Sequence, residues 1–335
     1  MPCCRHVAGL GAGNGSISAE GCQSAARSGM NRVLLTGGSG RLGRYVHTAL
    51  VAQGFDVRNF DKVGCGSDVD QIQADILDRE SLQSAMVDRD LVIHLAALDA
   101  AVPATDQAFF EINVQGTWNV LEAAEKAGVQ RVVLCSSVAA LGIGDETLPD
   151  YLPIDENHPC RPRQAYGLSK QVAETVGQCF ARRGHVKVVC LRPAFVVFPD
   201  LAIATALALS EQDGVKWPYD LPQGSNALNE PLTATRSFIA PEDAADSFVA
   251  AVRADLPSSW QLYFAVAPWS MSQQPTLEWA QTMGISPSVV RDPACYQATS
   301  NASMFSSTLA EQELGWRARL PFESLLEEAL KGCNA

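Results

Sequence analysis

The sequence predicts an α/β fold, a doubly wound parallel sheet followed by a smaller C-terminal substrate lobe. Two observations predict it. From residue 30 to about 195, short runs rich in Val, Leu and Ile alternate with helical stretches, and a glycine triplet stands between the first run and the first helix. Strands separated by helices are joined by crossovers, and crossovers cover both faces of a parallel sheet.

The elements follow in order. RVLLT (32–36) is a short apolar strand, and a helical pattern covers 41–53. DVRNF (56–60), QIQAD (71–75) and LVIHLAA (91–97) are the second, third and fourth strands. An amphipathic helix over 105–127 stops at Gly128, a residue suited to a left-handed cap. RVVLCSS (131–137) is the fifth strand, the helix opening with AYGLSK (165–170) runs to about Arg183, and KVVCLRP (187–193) is the sixth strand. Beyond 195 the alternation gives way to loops and isolated helices. The chain therefore divides into a sheet domain over 30–195 and a lobe over 196–335, some segments of which return to the sheet. Residues 1–29, rich in Gly, Ser and Ala without periodicity, are expected to form a disordered leader. GLGAGNG (9–15) within it imitates a phosphate loop but has no strand before it and no helix after it. A transit peptide stays open there, and Met30 stands at the start of the folded part.

A net charge of −12 argues against nucleic acid and anionic membrane surfaces as partners. The longest apolar stretch, LAIATALAL (201–209), is too short to span a membrane. None of the ten cysteines forms a CxxC pair and no His stands at ligand spacing from one, so no metal is expected. Without such pairs the thiols are expected to stay reduced in a cytoplasmic protein, and a small-molecule substrate and a homodimer are compatible with all of this.

TGGSGRLG (36–43) spaces Gly37, Gly40 and Gly43 as GxxGxxG. Glycines here permit a tight turn, let backbone N–H groups approach a pyrophosphate and allow close helix–strand packing. The helix N-terminus adds a favourable field for phosphates. The second strand ends at Asp61, whose carboxylate can accept both ribose hydroxyls of NAD and repels the 2′-phosphate of NADP. A turn aspartate has the same appearance, and Lys62 beside it keeps NADP open; NAD is favoured. In AYGLSK, Tyr166 and Lys170 share a helix face. On spacing alone they read as a packed tyrosine beside a snorkelling lysine before they read as a proton-transfer pair.

With these motifs in this order, the chain from about Met30 to Leu330 resembles the extended short-chain dehydrogenase/reductases, the NAD-dependent epimerase/dehydratase family. TGGSGRLG resembles its TGxxGxxG loop, ADIL (74–77) its adenine-contacting segment, HLAA (94–97) its fourth-strand motif and NVQGT (113–117) the following helix. CSSVAALG (135–142), YGLSK (166–170), LRPAFVVFP (191–199), RSFIAPEDAA (236–245) and LAEQELGW (309–316) match later motifs. The resemblance implies a Rossmann-type fold binding NAD through Gly37, Gly40, Arg41, Leu42, Gly43 and Asp61. It further implies cofactor contacts at Asp75 and Ile76, at Leu95, Ala96 and Ala97, at Asn113, at Tyr166 and Lys170, and at Pro193.

The resemblance also makes Tyr166 and Lys170 catalytic, and the physics agrees. A phenol with a pKa near 10 needs its phenolate stabilised, which a neighbouring ammonium does. Ser137 is the expected hydrogen-bonding partner of the substrate oxygen, with Ser136, one step before it, as the alternative. Val138 and Ala139 replace the Asp-Glu pair of the family's 4,6-dehydratases, which disfavours elimination. Ala194, Phe195 and Val196 lack the Asn with which the family's epimerases hold a sugar-nucleotide pyrophosphate. Arg236 stands where the family's pyrophosphate-binding Arg lies, or else pairs with Asp243 or Glu242. The expectation is an NAD-dependent oxidoreductase that interconverts a secondary alcohol, sugar-like or another small polyol or hydroxy compound, and its ketone. The alternative is an NDP-sugar 4-epimerase. A catalytically silent NAD-binding protein is a third reading, against which intact Ser137, Tyr166 and Lys170 argue.

Overall fold

The computed structural model describes residues 31–333 apart from 65, 67–68, 145–146, 220, 223–227 and 229–231, so the leader expected over 1–29 lies outside the described residues. Its elements are β1 (Arg32–Thr36), α1 (Arg41–Ala52), β2 (Asp56–Asp61), β3 (Gln71–Gln73), α2 (Arg79–Ala85), β4 (Leu91–His94), α3 (Asp106–Phe109), α4 (Gly116–Ala127), β5 (Arg131–Cys135), α5 (Ala165–Arg183) and β6 (Lys187–Pro193). They continue with β7 (Phe195–Val196), α6 (Pro199–Asp213), β8 (Phe238–Ile239), α7 (Pro241–Arg253), β9 (Trp260–Ala265), α8 (Thr276–Thr282), α9 (Pro293–Ala298), α10 (Thr308–Leu314) and α11 (Phe322–Cys333).

Seven strands form one parallel sheet in the order β3-β2-β1-β4-β5-β6-β9. Its central strands are buried on both sides, with Val33–Leu35, Leu91–Ile93 and Val188–Leu191 at 0% exposure, which is why they read as unbroken apolar runs. Leu34, Val92 and Val132 point into a cluster with Leu82, Val120, Leu121 and Phe180, contributed by α2, α4 and α5. By strand alternation Val33, Leu35 and Ile93 face the other side, where α1 and α7 pack. Strand order reverses between β1 and β4, so the carboxyl ends of β1, β2, β4, β5 and β6 open into one crevice. A second core of Leu141, Leu152, Ile154, Phe264, Met304 and Phe305 underlies the segment leading into α5. Bridges Leu152↔Val290 and Ile154↔Phe305 tie that segment to the C-terminal part.

Several boundaries differ from the sequence reading. The third, fourth and fifth strands stop at Gln73, His94 and Cys135, because the residues after them turn off the sheet into the crevice. The helix expected over 105–127 holds a π segment, Phe110–Gln115, between α3 and α4, and Gly128 caps it at φ 74° as anticipated. Helix α2 went unread, although Asp78 caps it by accepting the Glu80 and Ser81 N–H groups. The seventh strand, β9, also went unread; its neighbour in the sheet is β6, far back in the chain. Among the described residues no helix is long and apolar enough to cross a membrane.

Candidate active site

β1 ends at Thr36, and Gly37 turns the chain with φ 77°; a Cβ there would lie 2.5 Å from the Ala96 nitrogen. A Cβ on Gly43 would lie 2.1 Å from the Gly37 carbonyl oxygen, so only glycine lets α1 start against the loop. Gly40 differs. It is exposed, in extended conformation, and a Cβ would meet only the Gly37 oxygen at 3.1 Å. Helix α1 begins there with no side-chain cap and no acid in its first turn, leaving its free N–H groups to an anion. Half-buried Asp61 ends β2 beside this loop, accepting the Ser39 and Val63 N–H groups, each at 3.0 Å. A cradle of bare backbone with a fixed carboxylate at one end fits a dinucleotide.

The other expected cofactor residues line the same crevice edge less uniformly. Arg41 stacks over Phe198 and pairs with Asp200, and Leu42 is half-buried. Lys62 is exposed. Arg44, a cation the sequence reading passed over, donates to the Ser39 carbonyl at 3.2 Å. Asp75 is exposed and caps the Leu77 N–H, whereas Ile76 is buried against Gly116. Leu95, Ala96 and Ala97 are half-buried just past β4, where the Leu95 N–H donates to the Thr36 carbonyl at 3.0 Å. Pro193 is buried at the end of β6, opposite Ala265.

Helix α5 places half-buried Tyr166 in its first turn and Lys170, 5% exposed, one turn later. The Lys170 ammonium donates to the Cys135 carbonyl at 2.9 Å and stands 5.7 Å from the centre of the Tyr166 ring. Ser137 leaves β5 in extended conformation and caps a single turn, Val138–Leu141, accepting the Ala139 N–H at 3.1 Å. A Cβ on Gly167 would lie 2.5 Å from the Ala139 carbonyl, so glycine after Tyr166 lets the helix rest on that turn. Burial pushes the Tyr166 phenol above its usual pKa; Lys170 and the Ser137 hydroxyl oppose this, while Cys135 and Asp99 add to it. Asp99, in the loop after β4, is a neighbour of the phenol that sequence reasoning missed.

Behind the pair, Thr117 donates to the Asn113 carbonyl at 2.6 Å, so its oxygen accepts from His94 Nε2 at 3.0 Å. That assigns the proton to Nε2 and leaves Nδ1 to accept from Thr36, at 2.7 Å. Burial first, and Lys170 second, push His94 down to about 3, so it is neutral. Asn113, in the π segment, accepts the Leu98 N–H and donates to the Leu98 carbonyl and to Ser169 on α5.

Two candidate substrate residues are held by buried carboxylates. Ser136 is buried, and its hydroxyl donates to Glu174 at 2.5 Å. Arg236 is 4% exposed and forms a bidentate pair with Asp213, not with Asp243 or Glu242. Its guanidinium also lies 4.4 Å over Trp279. Asp243 instead accepts the Arg319 and Leu320 N–H groups. Asp213 ends α6, 23 residues before Arg236, and spacing along the chain carries no trace of the pairing.

The model of the NAD dependent epimerase/dehydratase family matches residues 33–261. A 4-epimerase from Escherichia coli O157:H7 acting on N-acetyl-alpha-D-glucosaminyl-diphospho-ditrans,octacis-undecaprenol is 38% identical over 149 residues, which are 44% of this chain and 42% of that protein. The L-arabinose 1-dehydrogenase (NAD(P)(+)) of Haloferax volcanii is 33% identical over 182 residues, 51% of this chain and 69% of that one. The chain spans about half the length of most curated relatives it matches. A short-chain dehydrogenase/reductase superfamily protein of Agrobacterium tumefaciens, solved with bound NAD, superposes with a TM-score of 0.67 at 23% identity, covering 90% of this chain and 97% of that one. The superposition shows the fold. The family match runs from β1 to the start of β9 and takes in the glycine loop and the Tyr166–Lys170 helix, so this chain belongs to the NAD dependent epimerase/dehydratase family, a family of extended short-chain dehydrogenase/reductase enzymes.

Proposed function

We propose that the protein is an NAD-dependent oxidoreductase that interconverts a secondary alcohol, sugar-like or a small polyol or hydroxy compound, and its ketone. The observation that carries this reading is the Lys170 ammonium, fixed on the Cys135 carbonyl and 5.7 Å from the centre of the Tyr166 ring on the same helix face. Gly37, Gly40, Arg41, Leu42, Gly43 and Asp61 would hold the dinucleotide, with Asp75, Ile76, Leu95, Ala96, Ala97, Asn113 and Pro193 along its length. When bound, the oxidised cofactor supplies the hydride acceptor and a positive ring beside the phenol. Tyr166 takes the hydroxyl proton of the alcohol, or returns it in the reverse direction. Lys170 has two ammonium hydrogens beyond the Cys135 bond, one for the phenolate side and one for ribose hydroxyls. Ser137 orients the substrate oxygen. The segments after 195 outside the sheet would contribute the substrate side. Free thiols at Cys135, Cys160, Cys179, Cys190 and Cys295 support a reducing, cytoplasmic setting.

The second reading, an NDP-sugar 4-epimerase, draws on the epimerase relatives. Against it, the Arg236 guanidinium is buried on Asp213, and Phe195 pairs in a small sheet with Phe238 where an amide would serve a diphosphate. The two readings separate in one assay. Incubation with NAD and a panel of secondary alcohols, aldoses, sugar acids and UDP-sugars should accumulate free NADH with one member. Interconversion of UDP-sugars without added cofactor or net reduction would replace this reading with the second.

A further inference from the structure

We propose that Glu174 is a positioning residue of this active site: its buried carboxylate holds Ser136 inward and thereby turns Ser137 outward to Tyr166. The proposal rests on the reading of Ser137, Tyr166 and Lys170 given above. Tyr166, Lys170 and Glu174 are spaced four apart on α5 and share one face of that helix. Lys170 and Glu174 both reach the end of β5. Lys170 donates to the Cys135 carbonyl at 2.9 Å, and one Glu174 oxygen accepts the Ser136 hydroxyl at 2.5 Å. The Ser136 N–H donates to the Leu191 carbonyl of β6 at 2.8 Å. Residues 135 and 136 are therefore bracketed by α5 and β6, and Ser137 is the first residue past the bracket. In an extended chain successive side chains point to opposite sides. Ser137 is extended, with φ −163° and ψ 154°, so an inward Ser136 sends the Ser137 hydroxyl outward.

Glu174 is itself held. Arg192 donates to both of its oxygens, at 2.8 and 2.7 Å, and the side chains of this pair are 3% and 6% exposed. Arg192 directly precedes Pro193, so one ion pair joins the helix bearing Tyr166 and Lys170, the strand end bearing Ser137, and the strand end bearing Pro193. A buried ion pair is weak evidence for stability, since apolar replacements often serve as well. Its value here lies in the third bond, to Ser136, which an apolar pair cannot make.

The test labels the tyrosine ring carbon with 13C and follows the Tyr166 resonance, assigned by its loss in Tyr166→Phe, through a pH titration. Ser137→Ala should move that titration upward, because a hydroxyl donated toward the phenol would stabilise its phenolate. Ser136→Ala, which leaves the ion pair intact, should move it in the same direction and lower kcat roughly 10- to 100-fold with NAD affinity unchanged. Ser136→Thr, which restores a hydroxyl, should return both toward the parent. Removing one partner of the ion pair risks unfolding, so the pair is replaced together: Glu174→Met with Arg192→Met should stay folded yet shift Tyr166 as Ser136→Ala does. Ser137→Ala shifting Tyr166 while Ser136→Ala and the double variant leave it in place would overturn the proposal. Ser137→Ala leaving Tyr166 in place would overturn the active-site reading beneath it.

Discussion

Two glycines of the same loop should respond to the same substitution in opposite ways. In Gly43→Ala the new Cβ would lie 2.1 Å from the Gly37 oxygen and 2.7 Å from the Gly38 Cα, both backbone atoms. Neither can rotate away, so the first turn of α1 must lift by about 1 Å to reach ordinary contact, against a helix anchored by Val46 and Leu50 at 0% exposure. Overpacking of this kind costs about 1–3 kcal/mol, which lowers Tm by roughly 2–5 °C for a chain of this size. In Gly40→Ala the backbone, φ −68° and ψ 170°, suits any residue, and the one neighbour is 3.1 Å away. Its stability cost stays below about 1 kcal/mol. The methyl group nevertheless occupies the open side where the pyrophosphate would approach, and losing 1–3 kcal/mol of binding weakens NADH about 5- to 150-fold. Differential scanning fluorimetry without cofactor and NADH fluorescence titration measure the two quantities. A Gly40→Ala protein that binds NADH as tightly as the parent would refute the cradle, and a Gly43→Ala protein with unchanged Tm would refute the packing argument.

Asp61→Ser should narrow the preference for NAD over NADP by removing the carboxylate's hydrogen bonds and its repulsion of a 2′-phosphate. It should also cost about 1 kcal/mol, because the Ser39 and Val63 N–H groups lose their acceptor; equal affinity of the parent for both cofactors would overturn the assignment. His94 sets an acid limit. Its folded pKa, about 3, lies below the unfolded 6.5, so the unfolded chain binds the extra proton. The stability this contributes is complete above pH 6.5 and is lost as pH falls toward 3, on the order of 5 kcal/mol across that window. Urea unfolding at pH 7, 5 and 4 should show a shallower acid decline in His94→Gln, and parallel curves for the two proteins would contradict the burial argument.

The parallel sheet and its glycine loop were legible because local signals stated them. The apolar runs of β1, β4, β5 and β6, the glycine spacing of 37–43 and the Gly128 cap each follow from neighbours a few residues away. β9 was not legible, since Trp260–Ala265 follows a loop-rich region and finds its place only by pairing with β6. The π segment around Asn113 is likewise a tertiary outcome, in which one amide bonds Leu98 and Ser169 from two separate elements. Tyr166 and Lys170 were visible as a spaced pair, and Glu174 lay one further turn along the same face. What the spacing could not disclose was that Ser136 faces Glu174, or that Arg236 faces Asp213; both depend on how distant strand ends and loops meet.

The central claim is that Tyr166 carries the proton while the loop and Asp61 carry the cofactor, and one pair of measurements on Tyr166→Phe tests it. With the alcohol that reduces NAD in the parent enzyme, the variant should lose turnover by about 10²–10⁴-fold, since the phenol oxygen is the proton carrier. Its NADH affinity, read by fluorescence titration, should equal the parent's, whereas Lys170→Ala should weaken both turnover and binding. A Tyr166→Phe protein that reduces NAD at close to the parent rate would contradict the account, because nothing else in the crevice has been assigned that proton.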